Sequence, residues 1–249
     1  MEYFPFSLSG KTILVTGASS GIGRAVAQEC AAAGAVCLIT ARNQERLQQT
    51  LDELQGEGHQ MFISDLADIT AIETMIENLP KLDGVVSCAG VVETKLLKFT
   101  EEEDLQNLFQ TNTFSAIRLV RSLLQKKKLK KESSVVFISS ISGVKCGYIG
   151  GSLYGATKGA IEGFAKATAL ELAPQRIRVN TITPGMVETS LLKDVEVDQD
   201  QIETDKQKHP MKRYGKPEEI GYSAVYLLSD ATKWVTGTAL LIDGGFTLN

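Results

Sequence analysis

Tyr154 and Lys158 stand four positions apart in Tyr154-Gly-Ala-Thr-Lys158, a spacing that puts both side chains on one face of a helix. An ammonium beside a phenol favours the phenolate and draws its pKa down from about 10 toward the neutral range. Such a tyrosine can donate a proton to a nascent alkoxide or accept one from an alcohol. Ser139 and Ser140 follow the apolar run Val135–Ile138, and a serine hydroxyl beside the tyrosine can orient a carbonyl. Alone, a tyrosine–lysine pair at this spacing is an ordinary solvated helix face. Its meaning depends on what the rest of the chain builds around it.

The stretch Lys11-Thr-Ile-Leu-Val-Thr-Gly-Ala-Ser-Ser-Gly-Ile-Gly-Arg24 reads as a strand, a glycine-rich turn and a helix start. Gly17, Gly21 and Gly23 can supply positive φ, close approach of backbone to phosphate and tight helix-to-strand packing. Ser19, Ser20 and Ile22 complete the turn, and the helix N-terminus offers free N–H groups to a pyrophosphate. No Gly-Lys-Ser/Thr follows, so the turn is not a P-loop. The second strand ends Leu38-Ile-Thr-Ala-Arg-Asn43, where an NAD-binding chain usually carries a carboxylate for the ribose 2′-hydroxyl. A guanidinium instead binds a 2′-phosphate. Arg42 therefore favours NADP(H), with NAD(H), and an Arg42 that is merely solvated, as the alternative.

Other elements must position these residues. Ile13–Val15, Val36–Ile39, Met61–Ile63, Val85–Val86, Val135–Ile138, Ile177–Ile182 and Ala239–Ile242 read as buried strands. Helical patterns lie between them over Arg24–Ala33, Gln44–Gln55, Ala71–Asn78, Glu101–Lys126, Tyr154–Ala173 and Pro217–Leu228. Gly34 and Gly56 sit where helix C-terminal glycines belong, and Pro217 suits a first helical turn. This alternation predicts an α/β fold, a doubly wound parallel sheet of about seven strands with helices on both faces. No linker or break in composition divides residues 1–249, so one domain is expected. The polar stretch Thr189–Lys216 lacks an apolar period and reads as a lid over the substrate or as a surface excursion.

Bulk properties narrow the class. A net charge of −4 supplies no basic field for nucleic acid. The four cysteines form no C-x-x-C pair, which argues against zinc or dithiol chemistry and suits a reducing cytoplasm. No apolar stretch approaches a membrane span, and the N-terminus lacks the pattern of a secretory signal.

Together, Thr-Gly-x-x-x-Gly-Ile-Gly23, Asn112, Ser140 and Tyr154-x-x-x-Lys158 resemble the short-chain dehydrogenase/reductase family. Pro184-Gly185 and Val235-Thr-Gly-Thr…Asp243-Gly-Gly extend the resemblance over essentially the whole chain. It implies a Rossmann-type sheet, hydride transfer at nicotinamide C4 and commonly a homotetramer. By resemblance, Ser140 orients the substrate, Tyr154 is the acid/base, and Lys158 lowers the tyrosine pKa and holds the nicotinamide ribose. Asn112 is similar to a helix-interrupting asparagine that positions a water on a proton relay. Asp65, with Leu66 after the third strand, resembles the residue that contacts adenine. Pro184, Gly185, Val187 and Thr189 resemble the segment that grips the nicotinamide. The resemblance extends to 3-oxoacyl-[acyl-carrier-protein] reductase-like members, with a small carbonyl or alcohol substrate; sugar, polyol and steroid-like alcohols are not separated from it by motif.

Three departures stand out. The usual Asn-Asn-Ala-Gly appears as Ser87-Cys88-Ala89-Gly90, keeping the close backbone approach at Ala89 and Gly90 but not the amides. Cys88 reads as a small apolar filler or as a reactive thiol. Ser140 and Tyr154 are one residue further apart than is common, a difference that the glycines of Gly147–Gly151 can absorb; Ser139 would be further still. Ser20 stands where some NADP enzymes carry a basic residue, which leaves Arg42 as the main phosphate candidate. The lysine run 126–131 falls between the fourth helix and the fifth strand, either solvated or a dock for acyl carrier protein. His59 and His209 fall in polar turns without a role, and Trp234 reads as core or subunit contact rather than a substrate platform. A catalytically silent dinucleotide sensor and a Rossmann methyltransferase are the rival classes.

Overall fold

A computed structural model describes residues 4–189 and 199–248. Its strands are β1 (Thr12–Thr16), β2 (Val36–Ala41), β3 (Gln60–Ile63), β4 (Leu82–Ser87), β5 (Leu129–Ile138), β6 (Arg178–Pro184) and β7 (Ala239–Ile242). They form one parallel sheet in the order β3-β2-β1-β4-β5-β6-β7. The helices are α1 (Gly21–Ala32), α2 (Gln44–Asp52), α3 (Ile69–Asn78), α4 (Glu102–Phe109), α5 (Ser115–Gln125), α6 (Ser152–Leu172), α7 (Gln199–Lys206) and α8 (Pro217–Leu228).

The apolar strand runs are continuous because both faces of the sheet are covered. Along β1, Ile13 and Val15 join the core under α1 and α8, while Leu14 points to the opposite core with Ile72, Ile76 and Leu119. Val86 and Val85 divide in the same way on β4, as the two-residue period of a strand requires. Strand order reverses between β1 and β4, so a crevice opens at their carboxyl ends, the place where such sheets bind ligands.

Pro217 does open α8, and Gly34 ends α1 at φ +95°. Gly56 instead lies beyond helix α2, which stops at Asp52. The predicted helix over 101–126 is interrupted: a π-turn, Gln110–Phe114, separates α4 from α5. The lysine run also differs from expectation, since Lys130 and Lys131 lie inside β5 rather than before it. Within the stretch expected to lack an apolar period, residues 199–206 form α7, and the part that follows packs back on the carboxyl edge through His209 and Gly215; 190–198 fall outside the described residues.

Two turns hold the carboxyl edge together. Gly185 N–H donates to the Ile242 carbonyl at 2.9 Å, and a Cβ on Gly185 would sit 3.0 Å from Asp243. The Asp243 carboxylate accepts from Gly245 N–H at 2.9 Å and from the Thr247 hydroxyl at 2.7 Å. The Pro-Gly and Asp-Gly-Gly motifs are thus two halves of one packed corner.

Candidate active site

The glycine turn is built by exclusion of side chains. Gly17 has φ +65°, and a Cβ there would fall 2.9 Å from Ala89. On Gly23 a Cβ would lie 2.2 Å from the Gly17 carbonyl oxygen, so the first turn of α1 closes directly over β1. Gly21, at φ +53°, leaves 3.3 Å between such a Cβ and the Thr189 methyl. Ser20 caps α1 in extended geometry without spending its side chain on the first amides. Ser19 presents its carbonyl to Arg24, which also donates to Thr50 at 3.0 Å and so ties the turn to α2. Thr16 accepts from the Cys88 and Ala89 amides at 3.1 and 3.2 Å, drawing the loop after β4 onto the turn. Ile22 packs against the core beneath. Thr16 is the threonine of the quoted motif, whereas Thr50 is a part of this cradle that motif reading did not single out, because its partners Ala18 and Arg24 are distant in sequence.

These residues fit a dinucleotide. The turn leaves room where side chains would intrude, and the first amides of α1 carry no side-chain cap. At the carboxyl ends of β2 and β3, the buried hydroxyls of Thr40 and Ser64 have no partner among the described residues. Arg42 is exposed just beyond β2. Asp65 is exposed after β3, its carboxylate accepting from Ala67 N–H at 3.0 Å, with Leu66 buried beside it. Pro184 ends β6 and accepts from Ile141 N–H at 3.0 Å; Val187 is buried and paired with Gly215.

The chemistry converges on the end of β5 and the start of α6. Ser140 stands beside the Tyr154 hydroxyl and favours its ionised form, while its own Oγ accepts from Ser142 N–H at 3.1 Å. Ser139 is buried and turned the other way, its hydroxyl donating to the Lys158 carbonyl at 3.4 Å. Burial raises the Tyr154 phenol above its ordinary value, and the Ser140 hydroxyl pulls against that rise. The lowering of this pKa expected from Lys158 is not what the site displays. Lys158 is itself buried, donates to the Ile138 carbonyl at 2.9 Å and lies 5.8 Å from the tyrosine ring centroid. Desolvation brings its own pKa down to about 8.

Asn112, in the π-turn, is buried with every side-chain group engaged. Its Oδ1 accepts from Val91 N–H at 2.8 Å, and its Nδ2 donates to the Val91 carbonyl at 2.9 Å and the Thr157 hydroxyl at 3.2 Å. A Cβ on Gly90 would sit 3.2 Å from Asn112 Oδ1 and 3.5 Å from Lys158 Nζ, so both groups border one gap in front of Gly90. Cys88 flanks it as a protonated thiol, pushed up to about 12 by burial, which fits filler rather than nucleophile. In the loop before Tyr154, Gly150 adopts φ +83° and Gly151 lies under the Tyr148 ring.

Three surface expectations change. His209 does sit in a turn, but its side chain is buried, 4.7 Å from the Phe246 ring and 5.2 Å from that of Tyr214, partners no local pattern announces. Trp234 is 99 % exposed and is not core. In the lysine run, Lys126 pairs with Glu77 at 3.1 Å, Lys128 caps carbonyls at the end of α3, and Lys130 pairs with Asp83 at 2.7 Å. Among the described residues no group of His, Cys, Asp and Glu could hold a metal, and no helix is long and apolar enough to cross a membrane.

A doubly wound sheet with a glycine-rich turn after β1 and a serine–tyrosine–lysine group at its carboxyl edge belongs to an oxidoreductase acting on CH–OH groups with a nicotinamide dinucleotide. The chain belongs to the short-chain dehydrogenase/reductase family. Residues 17–247 match the family model described as enoyl-(acyl carrier protein) reductase. A tropinone reductase homologue of Arabidopsis thaliana is 36% identical over 98% of this chain and 92% of its own. Human 3-oxoacyl-[acyl-carrier-protein] reductase is 34% identical over 96% of this chain and 98% of its own. The crystal structure of a Sinorhizobium meliloti dehydrogenase/reductase superposes with a TM-score of 0.89 at 33% identity, covering 97% of each chain.

Proposed function

We propose that this protein interconverts a ketone and a secondary alcohol using NADP(H), with 3-oxoacyl thioesters as the substrate class. The observation that carries the reading is the convergence of Ser140, Tyr154 and Lys158 beside the glycine turn. A bound nicotinamide supplies or accepts the hydride at its C4. Ser140 orients the carbonyl, and Tyr154 delivers the proton to the oxygen as the alcohol forms. Lys158, close to neutral-range titration, and Asn112 border the gap through which that proton is replaced. Arg42, exposed directly after Ala41, which stands where a carboxylate would select NAD, supports the 2′-phosphate. The human 3-oxoacyl reductase among the relatives supports the thioester class.

A second reading, a steroid-like or other apolar alcohol, is favoured by the exposed Tyr148 and Ile149 on the loop before Tyr154. Trp234 and Leu170, at 99 % and 79 % exposure, support contacts between copies of the chain, as in a homotetramer. Docking of an acidic carrier protein on the lysine run would rest on Lys127 and Lys131, since the other three are engaged internally. The segment 189–216 serves as the substrate lid.

The test is a carbonyl panel containing acetoacetyl thioesters, sugars and cyclic ketones, followed by nicotinamide absorbance. Tyr154→Phe should lower turnover by roughly 10²–10⁴-fold while cofactor still binds. Near-full activity in that variant would remove Tyr154 from the chemistry.

A further inference from the structure

Thr157 lies between the two catalytic side chains of α6 and is fully buried. Its hydroxyl carries one proton, which it donates to the Tyr154 carbonyl at 2.7 Å. Toward Asn112 the same oxygen can therefore only accept, and it does so from Nδ2 at 3.2 Å. The next residue of the π-turn reaches the same place, with the Thr113 hydroxyl donating to the Thr157 carbonyl at 3.1 Å. Two successive residues of the π-turn thus end on one residue of the catalytic helix. An α-helical turn would fan them about 100° apart; the wider π-turn lets both face α6.

We infer that Thr157 is a positioning residue, which clamps the π-turn to α6 and thereby fixes Asn112 relative to Lys158. With its Nδ2 protons committed to Thr157 and to the Val91 carbonyl, Asn112 keeps Oδ1 on the side of Gly90 that Lys158 Nζ also borders. Without the hydroxyl, Asn112 retains only the Val91 backbone, on a loop separate from the helix that carries Tyr154 and Lys158. The distance between the relay's acceptor and its ammonium is then free to drift. The inference rests on the acid–base reading of Tyr154, Lys158 and Asn112 given above.

The experiment compares Thr157→Val, which keeps the shape without the hydroxyl, with Thr157→Ser, which keeps the hydroxyl. Turnover is measured on the fastest ketone of the panel, with KM, NADPH affinity and the pH profile of kcat followed separately. A displacement of the order of an ångström costs up to about 100-fold in rate. The expected result for Thr157→Val is a kcat reduced about 10- to 100-fold, a displaced pH profile and NADPH affinity within about twofold of wild type. Thr157→Ser should stay within about threefold.

A second readout needs no turnover. The Val91 amide donates to Asn112 Oδ1, so its hydrogen exchange in the cofactor-free protein should quicken about tenfold in Thr157→Val and not in Thr157→Ser. Wild-type kcat, pH profile and Val91 exchange in Thr157→Val overturn the inference, as does a serine variant equally impaired. If the valine variant fails to fold, Thr157→Ala replaces it: impairment against the serine variant supports the clamp, equality overturns it. Tyr154→Phe is run alongside. Full activity there defeats the acid–base reading itself; an inactive Tyr154→Phe with an unimpaired Thr157→Val defeats the clamp alone.

Discussion

Replacing Lys158 by methionine keeps most of the side chain's bulk and removes its charge. In the folded protein burial holds the ammonium's pKa at about 8, against 10.5 for an unburied lysine. At roughly 1.4 kcal/mol per pH unit, that gap of 10.5 − 8 means that folding carries a penalty of about 3 kcal/mol wherever the lysine is charged. The sign follows from proton counting. Between pH 8 and 10.5 the unfolded chain binds more protons at this site than the folded one, so wild-type stability rises across that window. Below it the whole penalty is present, and above it none remains. Methionine has no such penalty at any pH. It does strand the Ile138 carbonyl, at about 1–3 kcal/mol, but that loss does not vary with pH.

The measurement is urea unfolding of cofactor-free wild type and Lys158→Met at a series of pH values from about 6.5 to about 10.5, with equal m-values as a check. The stability difference, variant minus wild type, should fall by about 3 kcal/mol from the acid to the alkaline end. Other titrating groups are common to both proteins and cancel. A difference flat to within about 0.5 kcal/mol would mean that the ammonium is not desolvated, and the argument from burial would be wrong. On the proposed role of Lys158 in proton transfer, the same variant should also lose turnover, and the gain in stability at acid pH would then come at the cost of activity.

Arg42→Ala should weaken NADPH binding by about tenfold or more while leaving NADH unchanged, read by fluorescence quenching; equal effects on both would remove the 2′-phosphate role. Gly23→Ala places a methyl 2.2 Å from the Gly17 carbonyl oxygen, so the turn must open and both stability and cofactor affinity should drop, measured by melting and titration. Arg178→Met removes the buried guanidinium that donates to the Leu227 and Ser229 carbonyls and the Thr232 hydroxyl; the Ser134 hydroxyl still reaches Leu227 at 2.8 Å, so the cost in urea unfolding should be about 1–3 kcal/mol with cofactor affinity little altered.

The parts of the site legible in the sequence are those set by short spacings. Gly17 to Gly23 encode their turn locally, and Tyr154 and Lys158 share a face because a helix repeats. Ser140 could be separated from Ser139 by counting, and the two do face opposite ways. What escaped lies in contacts between distant segments. The π-turn keeps helical sequence character through Gln110–Phe114, so composition does not mark it; only the family resemblance at Asn112 pointed to an interruption there. Helix α7 is short and polar, without the apolar stripe that announces longer helices. His209 is buried by Phe246, residues away along the chain and adjacent only once the carboxyl edge has folded. Lys158 finds the Ile138 carbonyl before any partner at the phenol, so a pairing inferred from spacing gives a different electrostatic balance.

The chain leaves the corner at Val187 and comes back at Gly215, where Glu188 N–H meets the Gly215 carbonyl at 2.8 Å and Gly215 N–H meets the Met186 carbonyl at 2.9 Å. Those two bonds act as a seam. The described residues beyond the seam still reach back to the rest of the fold: Thr189 lies beside Gly21, and His209 lies 4.7 Å from the Phe246 ring. Doubling such an excursion adds only about 0.6 kcal/mol of closure entropy. A change of length within the excursion would therefore cost little in closure, whereas a change at Thr189 or His209 would be felt at the glycine turn and at the carboxyl edge.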